Sequence, residues 1–201
     1  MQTSSDRIFY CKEGKMLIVG LGNPGKEYEN TFHNMGFTAI EALAARFNKK
    51  INRLECSALT AVTSVKGEKV IFAKPLTYMN LSGVAVKGLL TKYGQTLSDL
   101  IVIYDDIDLP RFTLRARERG SAGTHNGMRN IVENLGSTEF RRIRIGIGRD
   151  GRELKDYVLT EISPEDRKVF AERTESLAVL LEEYIRNGDF EKLMREANGI
   201  K

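Results

Sequence analysis

A chain of 201 residues with 41% hydrophobic and 29% charged side chains has the make-up of one globular domain with its own core, and not that of a fibre or a disordered tail. No apolar run approaches the roughly 20 residues needed to cross a bilayer, and residues 1–15 lack the apolar stretch of a secretory signal. The net charge of +4 is modest but unevenly spread: from Arg111 to Arg144 there are eight arginines, three glutamates and no lysine, a net of +5. Such a cluster suits a phosphate-bearing partner, and equally a solvated basic face. Cys11 and Cys56 stand far apart without metal-ligand spacing, so no disulfide is expected and a reducing cytoplasmic setting is. Residues 1–15 are expected to form an arm outside the core, with the folded domain spanning 16–201.

Taken in chain order, Met16–Leu21 is a short apolar run entering Gly22-Asn23-Pro24-Gly25, which predicts a buried strand feeding a tight loop. Ile40, Leu43, Ala44 and Phe47 recur at helical spacing from Phe37 onward. Thr60–Val65 and Lys69–Ala73 read as strands of a hairpin turning at Lys66-Gly67, and Lys74–Met79 reads as a loop. Ser82 is expected to cap a helix carrying Val86, Leu89, Leu90 and Tyr93, closed by Gly94. Leu100–Tyr104 is a second buried strand running into Asp105-Asp106. Thr113–Arg117 is a short strand, and the loop Gly120–Thr124 feeds a helix ending near Gly136. Ile143, Ile145 and Ile147 alternate with Arg142 and Arg144, a half-buried strand with arginines expected on its open face. Ser163-Pro164 opens a long helix, and Phe190–Ala197 forms a last short one. Strands interleaved with helices predict a single α/β domain, a mixed twisted sheet flanked by helices on both faces.

The chain has two histidines, His33 and His125, each beside an asparagine near a glycine-bearing loop that follows a predicted strand. In α/β sheets that is the crevice where ligands bind, so Asn23, His33, Asp105 and His125 are candidates to converge there. A carboxylate next to an imidazole orients it as a base. The letters Gly20-Leu21-Gly22-Asn23-Pro24-Gly25 imitate a dinucleotide fingerprint, but Pro24 and the polar stretch to Asn30 separate them from the helix, and no acidic residue follows at the required distance. A nicotinamide enzyme is therefore a poor fit. Asp105, Asp106 and Asp108 offer oxygen ligands, yet no second acidic cluster or phosphate loop completes a magnesium site, and no metal is expected. There is no Gly-x-Ser-x-Gly elbow. A base-activated water attacking an ester is the chemistry left.

Five segments, in order, resemble the bacterial-type peptidyl-tRNA hydrolase family. They are Val19–Gly25 with Tyr28 and His33-Asn34, Lys74–Gly83, Asp105–Pro110, Gly120–Gly127, and Arg142–Gly148. The resemblance implies a monomeric α/β domain without a cofactor that cleaves the ester between peptide and tRNA, recycling tRNA from peptidyl-tRNAs dropped by ribosomes. It implies His33 as catalytic base and Asp105 as its supporting carboxylate, with Asn23, Tyr78, Asn80, Asn126 and His125 around the substrate and Tyr28, Arg117 and Arg144 against the tRNA. Asn80 could as well cap a loop, and Tyr78 could pack.

Three features depart from the family pattern. Phe32 stands where arginine is usual, Thr124 where glycine is common, and Arg111-Phe112 where a residue–glycine pair follows the Asp-Leu-Pro motif. Loss of a polar contact near the base is the expected consequence of Phe32, and crowding of a tight loop that of Thr124. Two other readings stay open on sequence alone. A non-enzymatic RNA-binding protein of this fold would keep the basic surface without needing His33 and Asp105; a small-molecule esterase would keep that pair and leave the arginines idle.

Overall fold

The computed structural model describes residues 15–200; the arm expected at 1–15 lies outside them apart from the Lys15 backbone, and so does Cys11. Seven strands form one sheet: β1 (Lys15–Gly20), β2 (Arg53–Glu55), β3 (Ala58–Val65), β4 (Glu68–Pro75), β5 (Leu100–Asp106), β6 (Leu114–Arg117) and β7 (Arg141–Gly146). Their spatial order is β2-β3-β4-β1-β5-β7-β6. β4, β1, β5 and β7 run parallel, and β2, β3 and β6 add the antiparallel pairings. The sheet is mixed, as expected.

The helices are α1 (Met35–Arg46), α2 (Ser82–Tyr93), α3 (Asn126–Leu135), α4 (Leu154–Val158), α5 (Pro164–Asn187) and α6 (Phe190–Gly199). The central strands are buried on both faces, so they read as continuous apolar runs. Alternation then sorts their side chains. Ile18, Phe72, Ile101, Ile103 and Ile143 pack with α1, α5 and α6, whereas Leu17, Val19, Ile71, Val102 and Tyr104 pack with α2 and α3. Two cores result, one per face.

Most expected boundaries hold within a residue or two. α1 starts at Met35, before Phe37, and β4 continues through Pro75, shortening the loop expected from Lys74. Lys66 and Gly67 both adopt positive φ, 52° and 82°, the turn that matches the twist of a two-residue hairpin. Ser163 caps α5 by accepting from the Asp166 N–H. Ser82, by contrast, is the first residue of α2 and not its cap; it is buried, and its hydroxyl donates to the Met79 carbonyl at 2.9 Å. β2 and α4, of three and five residues, are too short to leave a periodic signal and were not foreseen.

One strand expectation fails. Arg142 does not lie on an open face: it is 1% exposed. Its guanidinium donates to the carbonyls of Gly120, Ser121, Thr138 and Phe140 and lies 4.4 Å from the Phe140 ring. The glycine-rich loop folds down over β7, and Arg142 satisfies carbonyls that burial would otherwise leave unpaired.

Candidate active site

The chain leaves β1 for the β2–β4 hairpins on one side and later returns to β5 on the other, so β1 sits at the point where strand order reverses. Ligands of open α/β sheets bind in the crevice beyond the carboxyl ends of such strands. Here that crevice is a cavity of about 750 Å³ with Asn23, His33, Asp105 and His125 in its wall.

Two glycines bring the start of α1 into it. A Cβ on Gly20 would lie 2.1 Å from the Gly36 carbonyl oxygen, and one on Gly36 would lie 2.4 Å from the Ile103 oxygen. Only bare backbone allows that approach. Leu21 N–H donates to Ile103 and Phe37 N–H to Leu21, at 2.9 and 3.1 Å. This clasp sets His33, in the short 3-10 turn before α1, against the last residues of β5.

His33 Nδ1 lies 3.0 Å from both carboxylate oxygens of Asp105, and both side chains are buried. His125 Nε2 reaches the same carboxylate at 3.2 Å. The two imidazole rings are 5.0 Å apart, and Tyr104 packs against His125 at 4.9 Å. Burial alone pushes the Asp105 carboxyl upward, but electrostatic attraction to the two imidazoles and the hydrogen bonds from them outweigh it and hold the group well below the usual carboxylate range. An ionised carboxylate only accepts, so each nitrogen facing it donates. His33 therefore carries its proton on Nδ1 and keeps a lone pair on Nε2.

His125 has no such freedom. It caps α3, and its Nδ1 accepts the Met128 N–H at 3.2 Å. Its proton is thus fixed on Nε2, and both nitrogens are engaged. The ligand atoms of His33, Asp105 and His125 lie within 4.8 Å of one another, a spacing that a small metal site also uses. With the His125 lone pair spent on the helix and its Nε2 protonated, the trio fits shared protons and does not fit a cation.

For His33 the balance runs the other way from burial. Burial lowers its pKa, yet the Asp105 charge and hydrogen bond raise it further, to a net value above the ordinary 6.5. Tyr104, buried nearby, is pushed up to about 12 mainly by burial and stays a neutral phenol.

Asn23 is held at three atoms. Its N–H donates to Asn34 Oδ1 and its carbonyl accepts from Asn34 Nδ2, while its own Oδ1 accepts from Met79 N–H at 2.8 Å. That last bond fixes the carboxamide, leaving Nδ2 as the free donor at the cavity wall. Asn34 and the Met79 backbone were not among the predicted site residues. The former was legible as the neighbour of His33; the latter was not, because the contact spans 56 residues.

Tyr78, Asn80 and Asn126 are exposed at the cavity margin, as is Arg117 at the end of β6. Half-buried Arg144 donates from Nε to Asp106 at 2.5 Å. Tyr28, half-exposed at the end of a 3-10 turn, lies outside the cavity lining. The eight-arginine cluster disperses. Arg117, Arg119, Arg142 and Arg144 line the cavity, whereas Arg141 packs on Tyr184 and Phe190, and Arg129 ties back to the Gly123 carbonyl. The sequence missed α4, whose Leu154, Lys155 and Val158 also line the cavity.

Two of the departures from the family pattern are neighbours in space. Phe32 is buried, stacked on Tyr157 at 5.0 Å, and the Arg111 guanidinium lies 5.4 Å over its ring. Arg111 also donates to Asp166 and to the Tyr157 hydroxyl, at 2.7 and 3.0 Å. An arginine from the adjacent loop thus occupies the region where position 32 carries an apolar ring. Phe112 keeps the left-handed backbone that a glycine adopts freely, with φ 68°; its N–H donates to Gly146 and its ring packs on Phe170 at 4.7 Å. Thr124 is exposed at the rim, outside the positive-φ region, so the crowding expected there does not arise.

Known proteins resemble this chain closely. A model of the family described as peptidyl-tRNA hydrolase matches residues 17–201. The peptidyl-tRNA hydrolase of Bacillus cytotoxicus is 46% identical over 184 residues, covering 90% of this chain and 98% of its own. That of Bacillus subtilis is 49% identical over 153 residues, covering 75% and 81%. The crystal structure of peptidyl-tRNA hydrolase from Acinetobacter baumannii superposes with a TM-score of 0.87 at 29% identity, over 94% of this chain and 97% of that one.

Proposed function

This chain belongs to the peptidyl-tRNA hydrolase family and is an ester hydrolase acting on peptidyl-tRNA, and from that premise we propose how its own residues perform the cleavage. The observation that carries the reading is the buried hydrogen bond from His33 Nδ1 to Asp105 inside the cavity. Neutral His33 takes a proton on Nε2 from a water as that water's oxygen attacks the ester carbonyl. Asp105 stabilises the imidazolium that forms, and His125, a fixed neutral donor, holds the carboxylate in register. The tetrahedral intermediate collapses by breaking the bond to the ribose oxygen, which receives the proton from His33. The products are a peptide carboxylic acid and a tRNA with a free hydroxyl, and no cofactor enters the balance.

Asn23 Nδ2 is positioned to donate to a peptide carbonyl or to the developing oxyanion; such a donor is worth about 10²–10³-fold in rate. Asn80 and Asn126 supply further neutral donors and acceptors at the margin. Arg117 and Arg144 hold tRNA phosphates, with Asp106 fixing Arg144 through Nε so that its remaining N–H groups stay available. Tyr28 would meet the tRNA outside the cavity. On this reading the protein acts as a monomer in the cytoplasm, where its substrate arises. Among the described residues no helix is long and apolar enough to cross a membrane.

Cleavage of N-acetyl-aminoacyl-tRNA by the wild type and by His33→Ala, with free aminoacyl-tRNA alongside, tests the reading. Retained cleavage without His33 would overturn the base assignment. Unchanged cleavage after replacing both Arg117 and Arg144 would favour a small-ester enzyme instead.

A further inference from the structure

Six large hydrophobic side chains stand exposed among the described residues, and three of them fall within seven positions: Tyr78, Leu81 and Val84, at 53%, 50% and 51%. Tyr78 lines the cavity, and the other two continue from it along the 3-10 turn Met79–Leu81 into α2. Tyr78 and Leu81 stand three apart across that turn, where such residues eclipse, and Leu81 and Val84 stand three apart into α2, where such residues are neighbours, so the trio forms one apolar lip running outward from the cavity mouth. Scattered exposed hydrophobics need no explanation, whereas a contiguous set at the edge of a site does.

The lip is mounted rigidly. Gly83 N–H donates to Asn130 Oδ1 at 2.8 Å, and a Cβ on Gly83 would meet the Asn130 carbonyl oxygen at 2.3 Å, so this end of α2 rests directly on α3. Tyr78 has φ 58° and ψ 163°, a backbone conformation that costs a bulky residue on the order of 1–3 kcal/mol. The Met79–Asn23 hydrogen bond holds the chain there, and the aromatic ring stays outside the core.

Charge separates this side of the cavity from the other. Residues 75–86 contain no Asp, Glu, Lys, Arg or His; the margin at β6 and β7, separated from the end of β4 by β1 and β5, carries Arg117, Arg119 and Arg144. A substrate that is polyanionic on one side of its ester and polypeptide on the other has one favourable direction across such a site. We infer that the lip formed by Tyr78, Leu81 and Val84 receives the peptide half of the substrate, binding the second and third residues from the ester through apolar side chains. This inference rests on the peptidyl-tRNA reading and adds a side-chain preference to it.

The test compares three tRNAs carrying N-acetyl-Leu, N-acetyl-Gly-Gly-Gly and N-acetyl-Leu-Leu-Leu. Wild type should favour the tri-leucyl substrate over the tri-glycyl one in kcat/KM. The double variant L81D/V84D should reduce the kcat/KM ratio of tri-leucyl to N-acetyl-leucyl substrate by about tenfold, the scale of losing a small apolar contact. The milder pair Leu81→Ser and Val84→Ser, at half-exposed sites, guards against misfolding and should shift the ratio the same way. Leu54→Asp, at an exposed position on the far sheet edge (69%), should leave it unchanged. A ratio unaltered by either double variant, or a loss equal on all three substrates, would overturn the inference. Failure of the wild type to cleave any of them would instead remove the reading beneath it.

Discussion

Two carboxylates are buried in networks of similar richness, and they do different things. Asp105 accepts from His33 and His125 at the end of a central parallel strand, facing the cavity. Glu55 lies at the sheet edge, where it accepts from Thr60, Lys92 and Tyr93 and pairs with Arg53. Burial raises both, and their partners more than offset it: Asp105 sits well below the carboxylate range and Glu55 at about 2. A perturbed carboxylate is thus no mark of a catalytic centre by itself. What distinguishes them is the partner. An imidazole exchanges its proton near neutral pH, whereas a lysine, an arginine and a phenol pushed up to about 12 do not. Glu55 is a latch that ties the β2–β3 edge to the end of α2, and in the proposed mechanism Asp105 is half of a proton-transfer device.

The contrast can be broken most forcefully at His33. His33→Ala should lower kcat/KM on peptidyl-tRNA by about 10²–10⁴-fold, the usual worth of a general base, with thermal unfolding little changed. Asp105→Asn should cost about 10²-fold in kcat and also move the pH profile. In the proposed mechanism wild-type activity needs neutral His33, so it should fall as pH drops through a pKa raised above 6.5. Without the carboxylate charge only the lowering effect of burial remains, and the acid limb should shift to lower pH. A limb that stays in place would assign the titration to another group.

Glu55→Gln should behave oppositely, losing about 1–3 kcal/mol of stability in urea unfolding, as expected for hydrogen bonds to a buried charge, with kcat/KM unchanged. Because the folded value of Glu55 is depressed from 4.5 to about 2, its contribution is complete above pH 4.5. It fades as pH falls toward 2, so wild type and variant should converge in stability there. The smallest effect belongs to the rim: Arg117→Ala should raise KM a few-fold and reduce the slope of log affinity against log salt by about one.

The sheet and the pairing at its centre were legible in the sequence for identifiable reasons. Leu17–Val19 and Leu100–Tyr104 are unbroken apolar runs because both faces of those strands are covered. Each histidine stands beside an asparagine after a strand and Asp105 closes the apolar run of β5, which puts His33 and Asp105 at one end of the sheet. The arginine cluster misled, because a list of charges does not say which guanidinium a loop will bury; Arg142 braces carbonyls, and Arg141 packs against aromatic rings.

Local order and chemistry were therefore set by the chain itself: period-2 and period-3.6 patterns, turn residues at Lys66-Gly67, the cap at Ser163, and a carboxylate and an imidazole at strand ends. Tertiary structure alone decided the rest, because it depends on contacts between residues distant in sequence. It brought His33 and His125 onto the Asp105 carboxylate, and it fixed the direction of the Asn23 amide through Met79 and the exposure of Tyr78, Leu81 and Val84 beside the cavity. Proton positions and exposed faces belong to the packed molecule, since hydrogen bonds and burial form only once the layers close on one another.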